Sequence, residues 1–192
     1  GILSFSSIIA TDSRTGLVTT SIYRTDQGFA GLISDQTITS GTTLISGVSL
    51  AYNGHFVPND PTQVSKQTQE VFRTDLDGTI LPQIRTAYVY DAYNNPLSIV
   101  QTAYDVATLI GTTTTTNHFN NVTTGGQWII GELTETYVQG IVIGASDVAR
   151  HATFSPDAPT GHIMNSVIEP GNPDLQLESD YGYDSFGNLT RV

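Results

Sequence analysis

The feature that most limits what this chain can become is a pattern it carries twice. One copy is Tyr88-Val89-Tyr90-Asp91-Ala92-Tyr93-Asn94-Asn95-Pro96-Leu97-Ser98-Ile99, and the other is Tyr181-Gly182-Tyr183-Asp184-Ser185-Phe186-Gly187-Asn188-Leu189-Thr190-Arg191-Val192. Both run Tyr-x-Tyr-Asp, place an aromatic two residues later, continue with Asn or Gly followed by Asn, and end on a β-branched aliphatic. Alternate residues of a strand share a face, so each tyrosine pair shares one. Asp91 and Asp184 can accept backbone N–H groups and open a turn. Asn94 and Gly187 take a positive φ at low cost, as a tight hairpin requires. The pattern predicts two hairpins with Ile99 and Val192 on the returning strands. The tyrosines are expected to stack on neighbouring hairpins and keep their hydroxyls at a wetter edge. A hairpin of this kind cannot bury its face alone, so the repeat implies stacked copies. The residues expected to carry it are Tyr88, Tyr90, Asp91, Tyr93, Asn95, Tyr181, Tyr183, Asp184, Phe186, Gly187 and Asn188.

The rest of the chain has the same character. Alternation of period two runs through Ile2–Ile9, Leu17–Tyr23, Thr43–Leu50, Glu70–Arg73, Ile84–Tyr90, Trp128–Gly131 and Tyr137–Ile143. Short strands joined by Gly, Asn and Asp indicate an antiparallel sheet. Charged residues make up only 13%, while 18 glycines and nine tyrosines suit strands and turns. The charged residues that cover helical surfaces are scarce. Asn53 to Gln63, with Pro58, Asp60 and Pro61, reads as an exposed loop. The threonine run Thr112 to Thr116 reads as a solvent-facing strand, because β-branching favours an extended chain. Asp147 to Arg150 alone hints at helix, and it is very short. No composition shift marks a domain boundary, so residues 1–192 read as a single β-rich segment, with 1–66 resting on strand pattern alone.

The repeat resembles a known family. Tyr-Asp-x-x-Gly-Asn-Leu-x-x-Val is the YD repeat of RHS proteins, and Tyr183 to Val192 matches it closely. Tyr90 to Ile99 matches more loosely, with Asn94 in place of Gly. The stretch from Thr112 through Asn120 and Asn121 to Trp128–Leu133 is similar to segments of SpvB/TcB-like toxin-complex proteins and bacterial RHS shells. So are Arg150–Phe154 followed by Thr160-Gly161, and Glu169-Pro170-Gly171 before the final Tyr-x-Tyr-Asp. The resemblance covers about residues 67 to 192. In that family, YD hairpins spiral into a hollow β-shell around a toxic C-terminal domain; in animal relatives they form part of an adhesion receptor. The resemblance implies an all-β fold of antiparallel hairpins in a curved sheet, a section of a larger shell. It also implies neighbouring shell segments of a longer parent chain as partners, a toxin as cargo, and a secreted or exported location. Asp60-Pro61 stands alone without the second Asp-Pro box linked to self-cleavage, so that activity is not carried over. A chain ending at Val192, in the expected return strand, reads as a fragment.

Charge and composition narrow the alternatives. A net charge of −11 with seven Lys plus Arg disfavours nucleic acid and anionic membrane surfaces as partners. The absence of cysteine removes disulfides and thiolate chemistry. No apolar run is long enough to span a bilayer as a helix. The start, Gly1–Phe5, lacks the basic region of a signal peptide.

Candidate chemistry is sparse. His55, His118, His151 and His162 show no metal-pair spacing, and scattered structural histidines are the simpler reading. Asp75-Leu76-Asp77-Gly78 looks like the opening of a calcium loop, but Thr86 stands where a closing carboxylate belongs, so a β-turn is expected. No P-loop, dinucleotide fingerprint or nucleophile elbow is present. Asp180 and Asp184 sit four apart, too distant along a strand to converge. Asn121-Val122-Thr123 and Asn188-Leu189-Thr190 fit a glycosylation sequon, which matters only in a eukaryotic source. The rings of Tyr88, Tyr90, Tyr93, Tyr181, Tyr183 and Phe186 could stack on sugars, although packing between hairpins explains the same spacing. The expected function is structural and non-catalytic, without cofactor or metal: a shell segment that encloses a toxin or effector. The alternatives are a β-sandwich adhesin or carbohydrate-binding module and, further off, a glycan hydrolase with paired carboxylates.

Overall fold

The computed structural model describes residues 5–55 and 63–192, with His55 described by its backbone alone. Among these there is no helix. The strands are β1 (Ser7–Thr11), β2 (Leu17–Tyr23), β3 (Ile33–Ser40), β4 (Thr43–His55), β5 (Gln63–Arg73), β6 (Gln83–Tyr90), β7 (Pro96–Asp105), β8 (Thr108–Val122), β9 (Ile129–Val142), β10 (Val148–Pro156), β11 (Ile163–Ile168), β12 (Leu177–Asp180), β13 (Gly182–Tyr183) and β14 (Leu189–Arg191). The first twelve form one 12-stranded sheet in sequence order, and β13 and β14 form a separate pair. The expected all-β, antiparallel architecture is what the chain adopts.

Strand order equals sequence order, and the connections among the described residues are local. Among the described residues, five turns that open on an aspartate share one scheme of two backbone bonds, which comes in two kinds. In the shorter kind, the aspartate N–H donates to the carbonyl four residues on and its own carbonyl accepts an N–H from three residues on: Asp75/Thr79 and Gly78, Asp91/Asn95 and Asn94, Asp184/Asn188 and Gly187. In the longer kind the same two bonds are stretched by one residue, as in Asp12/Leu17 and Gly16, and Asp157/His162 and Gly161. The residue closing each turn has positive φ: 91° at Gly78, 68° at Asn94, 83° at Gly187, 72° at Gly16 and 73° at Gly161. A type I turn followed by a left-handed residue matches the twist of antiparallel strands, so these short turns also set the register.

Two compact units can be described. The first comprises Gly1–Tyr88 and Val100–Thr112. Its largest strand contact is β4 against β5, where Phe72 pairs with Gly47. The Phe72 ring lies over that glycine so closely that a Cβ on Gly47 would stand 2.1 Å from it. Tyr52 donates its hydroxyl to the Ile33 carbonyl at 2.9 Å, and Arg24 pairs with Asp26 while its guanidinium stacks 4.2 Å from the Phe29 ring centroid. The second unit comprises Val89–Ile99 and Thr113–Val192. It holds all of the first repeat but Tyr88, the β9–β12 strands and the whole of the second repeat.

Neither unit has a dry core. Among the described residues Ala152 is the one buried apolar side chain, at 8% exposure, and the other buried side chains are polar: Ser21, Thr86, Glu132 and Ser166. The chain exposes 12453 Å². A compact monomer of this mass exposes about 8,900 Å², and two separate compact halves about 10,700 Å². The exposed side chains include large apolar ones, Leu76, Trp128 and Ile143 among them, that a free-standing domain normally buries against a second layer.

Several local expectations are corrected. Val148–Arg150, whose helical hint was too short to count as a helix, open strand β10. Asn53–His55 continue β4, and Gln63 begins β5 opposite His55, so the expected loop is shorter than Asn53 to Gln63; residues 56–62 lie outside the described residues. The strand read from Ile2 begins at Ser7, and residues 2–4 lie outside the described residues. The threonine run is extended within β8, but its side chains are half-buried and not solvent-facing. The Asp75–Thr79 segment, by contrast, is the turn that was expected: Asp75 Oδ1 accepts the Leu76 N–H at 2.7 Å, and Asp77 Oδ1 accepts the Thr79 N–H at 2.8 Å.

Candidate functional site: the two aspartate turns and their seat

Asp91 and Asp184 build the same turn. Oδ1 of Asp91 accepts the N–H groups of Tyr93 and Asn95, both at 2.8 Å, and Oδ2 accepts Asn95 Nδ2 at 2.9 Å. Oδ1 of Asp184 accepts the N–H groups of Phe186 and Asn188, both at 2.9 Å, and Oδ2 accepts Asn188 Nδ2 at 2.9 Å. Hydrogen bonds to the ionised form favour it. At Asp184 the bond from the Asn188 side chain leads in holding the carboxyl below its ordinary range, aided by the N–H groups of Asn188, Phe186 and Gly187. At Asp91 burial pushes upward, but the bonds from Asn95, Tyr93 and Asn121 together outweigh it, and the carboxyl is again lowered.

The first turn is also held from outside. Asn121, at the end of β8, donates Nδ2 to Asp91 Oδ2 at 2.9 Å. Its Oδ1 accepts Asn95 Nδ2 at 3.1 Å and the Gly131 N–H of β9 at 2.8 Å. One carboxamide thus links a turn and a neighbouring strand. Gly131 has φ +80°, and a Cβ there would come within 2.8 Å of Asn95 Oδ1. Four residues earlier, Asn117 repeats the theme: Nδ2 donates to the Pro96 carbonyl at 2.8 Å, and Oδ1 accepts Thr136 Oγ1 at 2.8 Å. Tyr93 meets Trp128 edge-on at 6.4 Å between centroids. Asn117, Asn121 and Gly131 were not singled out in the sequence as structural ligands. The signal for them is the pair of asparagines four apart in a strand, which share a face.

The second turn has a different neighbour. His162 stacks on Tyr183 at 4.6 Å between centroids, and a Cβ on Gly187 would stand 3.0 Å from His162 Nε2. Tyr183 donates its hydroxyl to the Ile163 carbonyl at 2.9 Å, and Tyr181 shares a hydrogen bond with Ser166 Oγ at 3.0 Å. Both rings line an apolar groove of about 310 Å³ with Leu133, Phe154, Ile163 and Leu189. Of the remaining repeat residues, Tyr88 lies in the first unit with Lys66 Nζ 5.7 Å from its ring centroid, Tyr90 is half-buried at the end of β6, and Phe186 is 89% exposed.

The histidines are less scattered than their spacing implies. His151 Nε2 bonds Glu135 Oε1 at 2.9 Å, and His118 Nε2 approaches Glu135 Oε2 at 3.9 Å. Three adjacent strands bring these residues together from positions 118, 135 and 151. Tyr137 stacks on His151 at 3.9 Å and 9°. Its phenol is raised, first by desolvation and then by the Glu135 charge. Among the described residues no three His, Cys, Asp or Glu side chains are arranged to hold a metal ion. Glu132 is a second acidic feature: it is 6% exposed, Oε2 accepts Asn120 Nδ2 at 2.8 Å, and Oε1 has no hydrogen-bond partner among the described residues. A Cβ on Gly161 would stand 2.9 Å from that oxygen. Asp180 shares the Asn165 Nδ2 donor with Glu178, each at 2.9 Å, and Asp184 is occupied in its turn.

No protein-family model matches this chain, and no curated protein matches it in sequence.

Proposed function

We propose that this chain is a structural, non-catalytic wall segment of the RHS/YD-repeat type, made of hairpins fastened side by side, which in its parent polypeptide encloses a toxin or effector cargo. The observation that carries the reading is the Asp91–Asn121–Gly131 link: the repeat builds a rigid turn, and a neighbouring strand holds that turn through a single carboxamide. The sparse core agrees with it. A wall section buries its apolar faces against neighbours or contents, and the excess exposed area here is the area such contacts would cover. The neighbours would be further segments of the same shell, and export would follow from that role.

The test is electron microscopy of the parent polypeptide. A hollow β-walled particle with this segment in its wall is expected. A solid domain without an internal space overturns the proposal.

A binding-module reading has one observation in its favour. Trp128 is 74% exposed beside Tyr93, and exposed indole faces stack on sugars. A glycan array with the chain and its Trp128→Ala variant separates the two. Binding lost in the variant supports a carbohydrate module, and no binding by either supports the wall.

A further inference from the structure

The β9–β10 hairpin ends in an apolar tip that projects. From Thr136 to Ser146 eleven residues pass without a charged side chain. Gly140 pairs with Val148, and the Ala145 N–H closes the tip on the Val142 carbonyl at 3.0 Å. β11 stops at Ile168, opposite Ala152, while β10 runs on to Val148. The hairpin therefore extends four residues past this neighbour, a distance of about 13 Å. On it Val142, Ile143 and Val148 are 56%, 65% and 55% exposed, and beside it Leu175 and Leu177 are 52% and 62% exposed. β9 and β10 are interior strands of the sheet, so a further strand at an outer edge would not cover this end.

We infer that this end of the hairpin binds a basic amphipathic helix of a partner polypeptide. The surrounding charge selects the partner. Asp147 stands in the hairpin, and Asp174 and Glu178 flank Leu175 and Leu177; all three are exposed. Arg150, the cation of this hairpin, is paired with Glu169 at 3.4 Å. The same compact unit holds ten Asp and Glu against two Arg, so it carries −8 of the chain's −11. An aliphatic patch with an acidic border fits a ligand with an apolar stripe and Lys or Arg beside it, and it repels an anionic lipid surface. The backbone selects the helix. The part of β10 past Ala152 is shorter than an ordinary strand, so an extended peptide has little edge to pair with. A helix bonds its own backbone and docks through side chains alone. The projecting 13 Å matches about nine helical residues, or two and a half turns. These side chains define the surface whether or not the parent is a hollow shell, so the two readings can fail separately.

The experiment is fluorescence anisotropy of the full chain with a labelled helical peptide of about 14 residues, leucines on one face and lysines on the other. Saturable binding is expected. The Val142→Ser/Ile143→Ser double variant should weaken it by about tenfold or more, the effect of losing two aliphatic contacts. Both side chains are exposed, so the variant should keep the circular dichroism of the parent. Leu76→Ser, in the other compact unit and 77% exposed, should leave binding unchanged. A peptide of equal charge with glutamine in place of leucine should bind about tenfold more weakly or worse. Equal binding of the glutamine peptide, which would mean charge alone, overturns the inference. So does undiminished binding by the double variant, an equal loss in Leu76→Ser, or binding to phosphatidylcholine vesicles with none to the leucine–lysine peptide.

Discussion

Asn121 donates to Asp91 Oδ2 at 2.9 Å across a sequence separation of 30 residues, and its own oxygen takes the Gly131 N–H at 2.8 Å. A side chain that could have capped its local backbone instead joins three segments. Its neighbour Asn120 serves Glu132 in a separate bond. Adjacent residues of a strand point to opposite faces, so the Asn-Asn pair supplies both.

Replacing Asn121 by Ala leaves the Gly131 N–H without its acceptor and removes one donor from Asp91. Both positions are partly buried, so the expected loss is about 1–3 kcal/mol in stability. Urea denaturation of the variant measures it. The Asn117→Ala variant should lose a similar amount, because it too abandons a carbonyl and a hydroxyl. A loss below about 0.5 kcal/mol for Asn121→Ala, the range of ordinary surface substitutions, would show that the link is not stabilising.

Acid should loosen the turns. Asp91 and Asp184 both have carboxyls lowered by hydrogen bonds in the folded state. A depressed folded value contributes stability that is fully present above the unfolded value, about 3.9, and is lost as pH falls through the folded value. Stability should be level with respect to these groups from about pH 7 to pH 5 and decline below about pH 4. The difference between the chain and its Asp91→Ala variant should shrink over the same acid range. Denaturation midpoints at a series of pH values check both statements.

Gly187 answers two demands and Asn94 is seen to answer one. Both have positive φ, where an ordinary L residue costs about 1–2 kcal/mol, and Asn is among the residues that tolerate it. Gly187 also faces the His162 ring, which a Cβ would approach to 3.0 Å. Asn94→Gly should therefore stay within about 0.5 kcal/mol of the parent. Gly187→Asn, the reciprocal exchange, should destabilise by more and disturb the His162–Tyr183 stack. Thermal melts give the first result, and His162 ring shifts in NMR give the second.

Tyr137 reports on the His151–Glu135 pair. Burial comes first in raising its phenol, and the Glu135 carboxylate adds to it. Glu135→Gln removes the charge and keeps the burial. Tyr137 should then titrate at lower pH than in the parent while staying above an ordinary tyrosine, as read from its ring carbon shift. An unchanged titration would mean that the carboxylate does not act on this phenol.

Gly47 should not accept a side chain. A Cβ would stand 2.1 Å from the Phe72 ring, and that ring cannot withdraw without leaving the β4–β5 surface. Gly47→Ala is expected to cost about 1–3 kcal/mol, typical of overpacking. Phe72→Leu in the same chain should recover part of that loss, and a double-mutant cycle in urea measures the coupling.

Turn chemistry was the most legible part of the sequence. Asp91, Asn94, Asp184 and Gly187 were assigned to hairpin turns from residue type alone, and the backbone bonds that close each turn lie within five consecutive residues. Strand assignment failed where the pattern was short or mixed. Val148-Ala149-Arg150 pairs with Val138, Gln139 and Gly140 on β9, and that pairing overrides a weak helical tendency. The threonine run was correctly extended but wrongly exposed, because period-two alternation cannot reveal which neighbours cover a strand that is uniform on both faces. The grouping of His118, Glu135 and His151 was invisible, since cross-strand neighbours are set by register and not by spacing along the chain.

The sequence by itself determined the all-β class, the antiparallel order of hairpins and the internal build of both aspartate turns, because each depends on residues within one turn or one strand. Only the tertiary structure decided that Asn121 seats the first turn and that His162 backs the second. Those outcomes depend on which strands lie side by side and in what register. Two copies of one repeat therefore share an internal geometry and differ in their surroundings, because a turn closes on its own hydrogen bonds while its neighbours are supplied by the rest of the sheet.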